Sequence, residues 1–164
     1  MKINPKNGID KLIFGMKQND VIALYGKPNR NYKDEDDNVI FSYNTQKVRL
    51  TFYKDEDFKM GYIVASSADM ELFGNKIIGR KISDVKSELA QKGITKFTQE
   101  EFDTFENYFN EDNWIIFQTE FDEVYTLKSP NALISTIQKH KIDVVLLDMN
   151  FLISTKASII LILT

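Results

Sequence analysis

Cysteine is absent from the 164-residue chain, and histidine and tryptophan each occur once. Without cysteine there is no disulfide framework, no thiolate zinc site, no thiol nucleophile and no cysteine to carry an N-terminal lipid. The one histidine, His140, lies between Lys139 and Lys141 at the end of an expected helix. There a cation complements the carbonyl end of the helix dipole, and nothing supplies the orienting partner and nucleophile that a general base needs. No G-x-S-x-G, P-loop or H-E-x-x-H motif occurs. Long uncharged runs are missing as well. Lys2, Asn4, Lys6, Asn7, Asp10 and Lys11 interrupt the stretch where a secretory leader would carry its apolar region. Asp143, Asp148, Asn150 and Lys156 interrupt Ile142–Thr164 short of the roughly 18 apolar residues of a membrane span, so that stretch is expected to form strands or core. A cytoplasmic protein is the expectation.

What the chain does contain is ordinary globular composition: 43% hydrophobic residues, 27% charged and a formal net charge of -3. That apolar content excludes a disordered acidic tail. Lys+Arg at 21 against Asp+Glu at 24 excludes a globally basic nucleic-acid binder.

A shift of 64 positions brings two halves of the chain into register. Gly15 falls on Gly79, Phe14 on Ile78, Asp20-Val21 on Asp84-Val85, Tyr25 on Leu89 and Phe41 on Phe105. In the same frame Leu50 falls on Trp114, Phe52 on Ile116, Tyr53 on Phe117, Met60 on Val124 and Ile63 on Leu127. Each half reads as a short helix followed by three strands. The first helix ends at Gly26-Lys27-Pro28; the second is capped at Ser83, keeps Val85 and Leu89 on one face and closes at Gly93. Strands are predicted over Val39–Tyr43, Val48–Tyr53 and Met60–Ala65, where β-branched and aromatic residues alternate with polar ones, and again over Phe102–Phe109, Trp114–Thr119 and Glu123–Leu127. Val48, Leu50 and Phe52 would face the helices, leaving Arg49, Thr51 and Tyr53 on an open face suited to function. Beyond the repeat, Ser129-Pro130 starts a helix through Ile137, and Ser158–Leu163 is a further strand that needs a partner. The expected architecture is α+β: two tandem repeats of short helices packed on antiparallel sheet, residues 1–66 and 67–128, with an appended helix and apolar strand segment over 129–164.

Charge separates the two halves. Residues 1–64 carry 11 basic and 9 acidic side chains, and residues 65–128 carry 7 basic and 13 acidic ones, a difference of eight charge units between the halves. No Lys or Arg occurs between Lys96 and Lys128, where nine carboxylates are interleaved with Phe102, Phe105, Tyr108, Phe109, Trp114, Phe117, Phe121 and Tyr125. Such a surface steers and pairs with a basic protein, while aromatic side chains anchor it at low entropic cost. The candidate partner-binding residues are Glu100, Glu101, Asp103, Glu106, Tyr108, Glu111, Asp112, Trp114, Glu120 and Asp122. The bland alternative is that the acids form a solvated face and the aromatics fill the core. No catalytic residue, metal ligand or cofactor is expected. Asp34-Glu35-Asp36-Asp37-Asn38 has the oxygen-rich start of a calcium loop, but Val39 and Thr45 stand where the glycine and the closing acid belong, so a solvated turn is expected.

Gly8-Ile9-Asp10-Lys11-Leu12-Ile13-Phe14-Gly15-Met16, then Asp20-Val21 and Leu24-Tyr25-Gly26-Lys27-Pro28, resembles the repeat unit of the β-lactamase-inhibitor-protein-like and SmpA/OmlA-like superfamily, whose phrase is F-G-M, a spacer, V, then L-x-G-x-P. The likeness covers about residues 8–127, and the second copy departs from it, with Arg80 in place of Met16 and no proline after the helix. The resemblance implies tandem units of short helices on antiparallel sheet and a non-enzymatic protein binder. The cysteine-anchored lipoprotein branch is not expected here. What it implies instead is an immunity or inhibitor protein neutralising a basic bacterial toxin domain, such as a nuclease. The alternative, read from the open sheets and the apolar C-terminal segment, is a structural or assembly module that forms a homo-oligomer.

Overall fold

The computed structural model describes residues 1–103 and 105–120, and the backbone of 143–147. In chain order its elements are β1 (Lys2–Asn4), β2 (Gly8–Ile9), β3 (Leu12–Ile13), α1 (Gln18–Tyr25), β4 (Arg30–Lys33), β5 (Val39–Tyr43), β6 (Val48–Tyr53) and β7 (Lys59–Ala65). There follow β8 (Glu71–Leu72), β9 (Asn75–Lys76), α2 (Ile82–Ala90), β10 (Thr98–Glu101), β11 (Glu106–Asn110), β12 (Ile115–Thr119) and β13 (Asp143–Leu147). Short 3-10 turns cover Lys54–Glu56 and Glu111–Asn113.

The expected α+β class is corrected: the fold is mainly β. The two helices among the described residues are little more than two turns long, 8 residues in α1 and 9 in α2. A helix that short buries few side chains: Val21 from α1, and Ile82, Val85 and Leu89 from α2. The core is supplied mostly by strands, through Phe41, Leu50, Phe52, Met60, Ile63 and Phe117, all at most 1% exposed. Phe41 and Phe52 meet edge-on with ring centroids 4.9 Å apart. Tyr43 donates its hydroxyl to the carbonyl of Gly26 at 2.9 Å, fixing the end of α1 to the sheet.

A five-stranded sheet runs β3-β2-β1-β8-β9, with β1 antiparallel to β2 and parallel to β8. An eight-stranded antiparallel sheet runs β10-β11-β12-β13-β7-β6-β5-β4. Gly15 and Met60 tie the two regions together, since Gly15 N–H donates to Met60 O and Met60 N–H to Met16 O, both at 2.8 Å. The first three-strand expectation matches β5, β6 and β7 closely. The strand expected over Phe102–Phe109 starts late: Phe102, Asp103 and Phe105 lie in the connection between β10 and β11, where Phe102 N–H donates to Phe105 O at 2.9 Å, and only Glu106–Asn110 is strand. Ser83 lies inside α2, whose N-cap is Lys81. Asp143–Leu147 is a strand within the stretch expected to form strands or core. The expected strand Glu123–Leu127, the helix to Ile137, His140 and the Ser158–Leu163 run lie outside the described residues.

Some backbone features recur between the two halves, with a slip. Gly15 and Gly79 share left-handed φ values of 89° and 81°, and α1 and α2 begin at Gln18 and Ile82, in keeping with the shift of 64. Beyond the helices the shift becomes 67. Asn44–Lys47 connects β5 to β6, and Glu111–Trp114 connects β11 to β12; each connection ends on a left-handed residue, Lys47 at φ 53° and Trp114 at φ 55°, whose N–H returns to the first carbonyl of the turn. Val48 therefore answers to Ile115, Leu50 to Phe117 and Phe41 to Tyr108. Strand β13 stands to β12 as β7 stands to β6: Phe117 pairs with Val144 and Ile115 with Leu146, as Leu50 pairs with Ile63 and Val48 with Ala65. Strands β7 and β13 then pair with each other, Val64 opposite Val145, Ile63 opposite Leu146 and Ala65 opposite Val144. A pseudo-twofold axis through the Val64–Val145 pair thus relates the two halves of the large sheet.

Candidate protein-binding edge

The charged residues of the two halves differ in what they touch. The described ion pairs join Lys17 to Asp57, Lys33 and Lys54 to Asp37, Lys76 to Asp69, and Arg80 to Glu88, all between residues 17 and 88. Hydrogen bonds from these cations hold carboxyls below the usual range: Lys54 then Lys33 at Asp37, Lys17 at Asp57, and Arg80 at Glu88. Among the described residues, none of the carboxylates between Glu100 and Glu120 joins an ion pair. The turn that resembles a calcium loop is closed by its own side chains. Asp34 Oδ1 accepts from the N–H groups of Asp36 and Asn38 at 3.0 and 2.9 Å, and Asp34 Oδ2 accepts from Asn38 Nδ2 at 3.0 Å. Among the described residues, no group of three His, Cys, Asp or Glu is placed to hold a metal ion.

The ten candidate residues are divided by the strands. Glu100 and Glu101 end β10, Asp103 sits in the following turn, Glu106 starts β11 opposite Glu101, and Glu120 follows Thr119, the cross-strand partner of Glu106. These five gather at one end of the sheet. Glu111, Asp112 and Trp114 lie at the other end of β11, about 13 Å away at the rise of a five-residue strand. Tyr108 faces the core at 5% exposure, lies under the Lys86 ammonium at 4.9 Å and donates its hydroxyl to Glu106. It is therefore a buried ring. Trp114 is a half-buried turn residue whose ring lies 6.1 Å from Phe14 of the first repeat. Asp122 lies outside the described residues. Beside the five clustered acids, Phe102 and Phe105 stack at 4.5 Å and 15°, with Phe102 44% exposed.

No protein-family model and no curated protein matches the chain. Among solved structures, it is similar to an extracellular protein containing a SCP domain from Bacillus anthracis str. Ames, with 13% identity and a TM-score of 0.49. The match covers 92% of this chain and 51% of that one, so the chain spans about half the length of that protein. Among the described residues no helix is long and apolar enough to cross a membrane.

Charge patterning singled out the acids but not their setting at a strand edge. Among the described residues, β10 and β4 are the two edges of the eight-stranded sheet, and all four residues of each strand are exposed. They occupy equivalent places in the two halves with opposite charge: Arg30, Asn31, Tyr32 and Lys33 on β4, and Thr98, Gln99, Glu100 and Glu101 on β10. An edge strand presents unpaired backbone N–H and C=O groups to a further strand. Sequence reasoning also missed a pair of buried amides. Asn107 and Gln118 are cross-strand neighbours at 0% and 8% exposure, and Asn107 Oδ1, Asn107 Nδ2 and Gln118 Nε2 have no hydrogen-bond partner among the described residues.

The face expected to be open is only partly so. Thr51 is buried at 8% exposure, and Ile116 packs there with Tyr62, Val64 and Phe109. Burial pushes the Tyr62 phenol up to about 12.

Proposed function

We propose that this chain is a non-enzymatic protein-binding protein that captures a basic partner along the β10 edge. The observation that supports this reading most directly is the cluster of Glu100, Glu101, Asp103, Glu106 and Glu120 beside an edge strand whose four residues are all exposed and the stacked Phe102–Phe105 pair, none of the five carboxylates joining an ion pair among the described residues. A strand of the partner adds to β10 through main-chain hydrogen bonds, its Lys or Arg side chains meet the carboxylates, and an apolar side chain rests on Phe102. The biological form favoured here is immunity: the acidic edge occupies the surface that a basic bacterial toxin domain, such as a nuclease, uses for its anionic substrate. The protein acts in the cytoplasm in this reading.

Affinity capture with purified protein tests it, comparing wild type with the double variant E100K/E101K at low and high salt. The expected result is a basic partner retained at low salt, released at high salt, and lost by at least about tenfold in the variant. Equal retention by the double variant would remove the edge from the interaction.

A further inference from the structure

The strongest complement to the acidic edge is carried by the molecule itself. We infer that the basic β4 edge of one copy pairs antiparallel with the acidic β10 edge of a second copy, continuing the large sheet head to tail. This inference stands independently of the partner reading above.

Three features carry it. First, the eight strands alternate in direction, so β4 and β10 run opposite ways. A copy displaced along the sheet therefore brings its β10 antiparallel to β4 without turning the sheet over. Second, the faces match. Arg30 stands opposite Ser42 and Lys33 opposite Val39, while Glu100 stands opposite Asn107 and Glu101 opposite Glu106. Strand alternation and the equivalence of the two halves put Arg30 and Glu100 on one face and Lys33 and Glu101 on the other. A register that sets Tyr32 opposite Glu100 and Asn31 opposite Glu101 makes Arg30 a diagonal neighbour of Glu100, and Lys33 a diagonal neighbour of Glu101, within reach of long side chains. Third, like edges repel: β4 against β4 opposes cations, and β10 against β10 opposes carboxylates. Charged edge strands block indiscriminate pairing, and here the charge leaves one combination attractive.

The contact is heterologous, so it propagates into open chains of copies and does not stop at a dimer. Four residues per edge bury much less than the roughly 1,000 Å² of a durable interface, so the association is weak and depends on concentration and salt.

Sedimentation velocity on the full chain tests this. Wild type at low salt should show a weight-average mass that rises with concentration, reaching about twice the monomer or more, and collapses to monomer at high salt. R30E/K33E, with two acidic edges, and E100K/E101K, with two basic edges, should each remain monomeric. An equimolar mixture of the two should regain association, because each variant's altered edge meets the other's complementary edge. All the altered residues are exposed, and the mixture also controls for misfolding. A wild type monomeric at every concentration, variants that still associate alone, or a mixture that stays monomeric would each overturn the inference. R30E/K33E keeps the β10 edge, so it should lose self-association yet still capture a basic partner. Failure of partner capture with self-association intact would instead count against the proposed function alone.

Discussion

At the scale of single residues, the least expected group is the Asn107 amide. It is fully buried, and neither of its polar atoms finds a partner among the described residues. Leaving buried donors and acceptors unmade costs about 1–3 kcal/mol, whereas an apolar side chain at the same place costs nothing of that kind. The other half of the sheet already uses that solution. Ile40 stands 67 positions earlier at the equivalent register, opposite Thr51 as Asn107 stands opposite Gln118. N107I is therefore expected to raise stability by about 1 kcal/mol, read as a higher urea midpoint at unchanged slope. A loss of similar size would mean that the amide has a partner.

At the scale of elements, legibility followed length and chemistry. Strands β5, β6 and β7 are five to seven residues long with clear alternation, and were legible to within a residue. The hairpins β2–β3 and β8–β9 have two-residue strands, too short for any period to register. Phe102 and Phe105 read as strand residues because aromatic side chains favour sheets, yet they stack on each other across a turn. Trp114 read as the start of a strand, although it occupies the left-handed turn position that Lys47 fills in the first half. That difference in side chain concealed the slip from 64 to 67. Gly8 carries a requirement of another kind. At φ +147°, a Cβ there would lie 1.9 Å from the carbonyl oxygen of Leu12, across the β2–β3 hairpin. G8A must open that hairpin and is expected to lower stability by about 2 kcal/mol or more, measured by chemical denaturation.

On the scale of the whole molecule, the two halves share a backbone plan and differ in charge. Pairing of β7 with β13 fuses them into one sheet, so the acidic and basic edges lie at opposite ends of a single structure. Counting charges along the sequence shows the asymmetry of eight units, but that part of it falls on the two edge strands, Arg30 and Lys33 on β4 against Glu100 and Glu101 on β10, needed the pairing order, which local patterns do not contain. Nor could the sequence divide the ten candidates. The same strand that separates Glu111 and Asp112 from Glu100 and Glu101 turns Tyr108 into the core.

β10 is the proposed site at which a protein partner binds. Amide hydrogen exchange of the full chain, with and without the captured basic partner, addresses it most directly, because a free edge exposes amides that an added strand would protect. The prediction is slowed exchange within Thr98–Glu101 on binding, with little change in the interior strands Val48–Tyr53 and Ile115–Thr119. A bound complex in which Thr98–Glu101 exchanges as fast as in the free protein would contradict it.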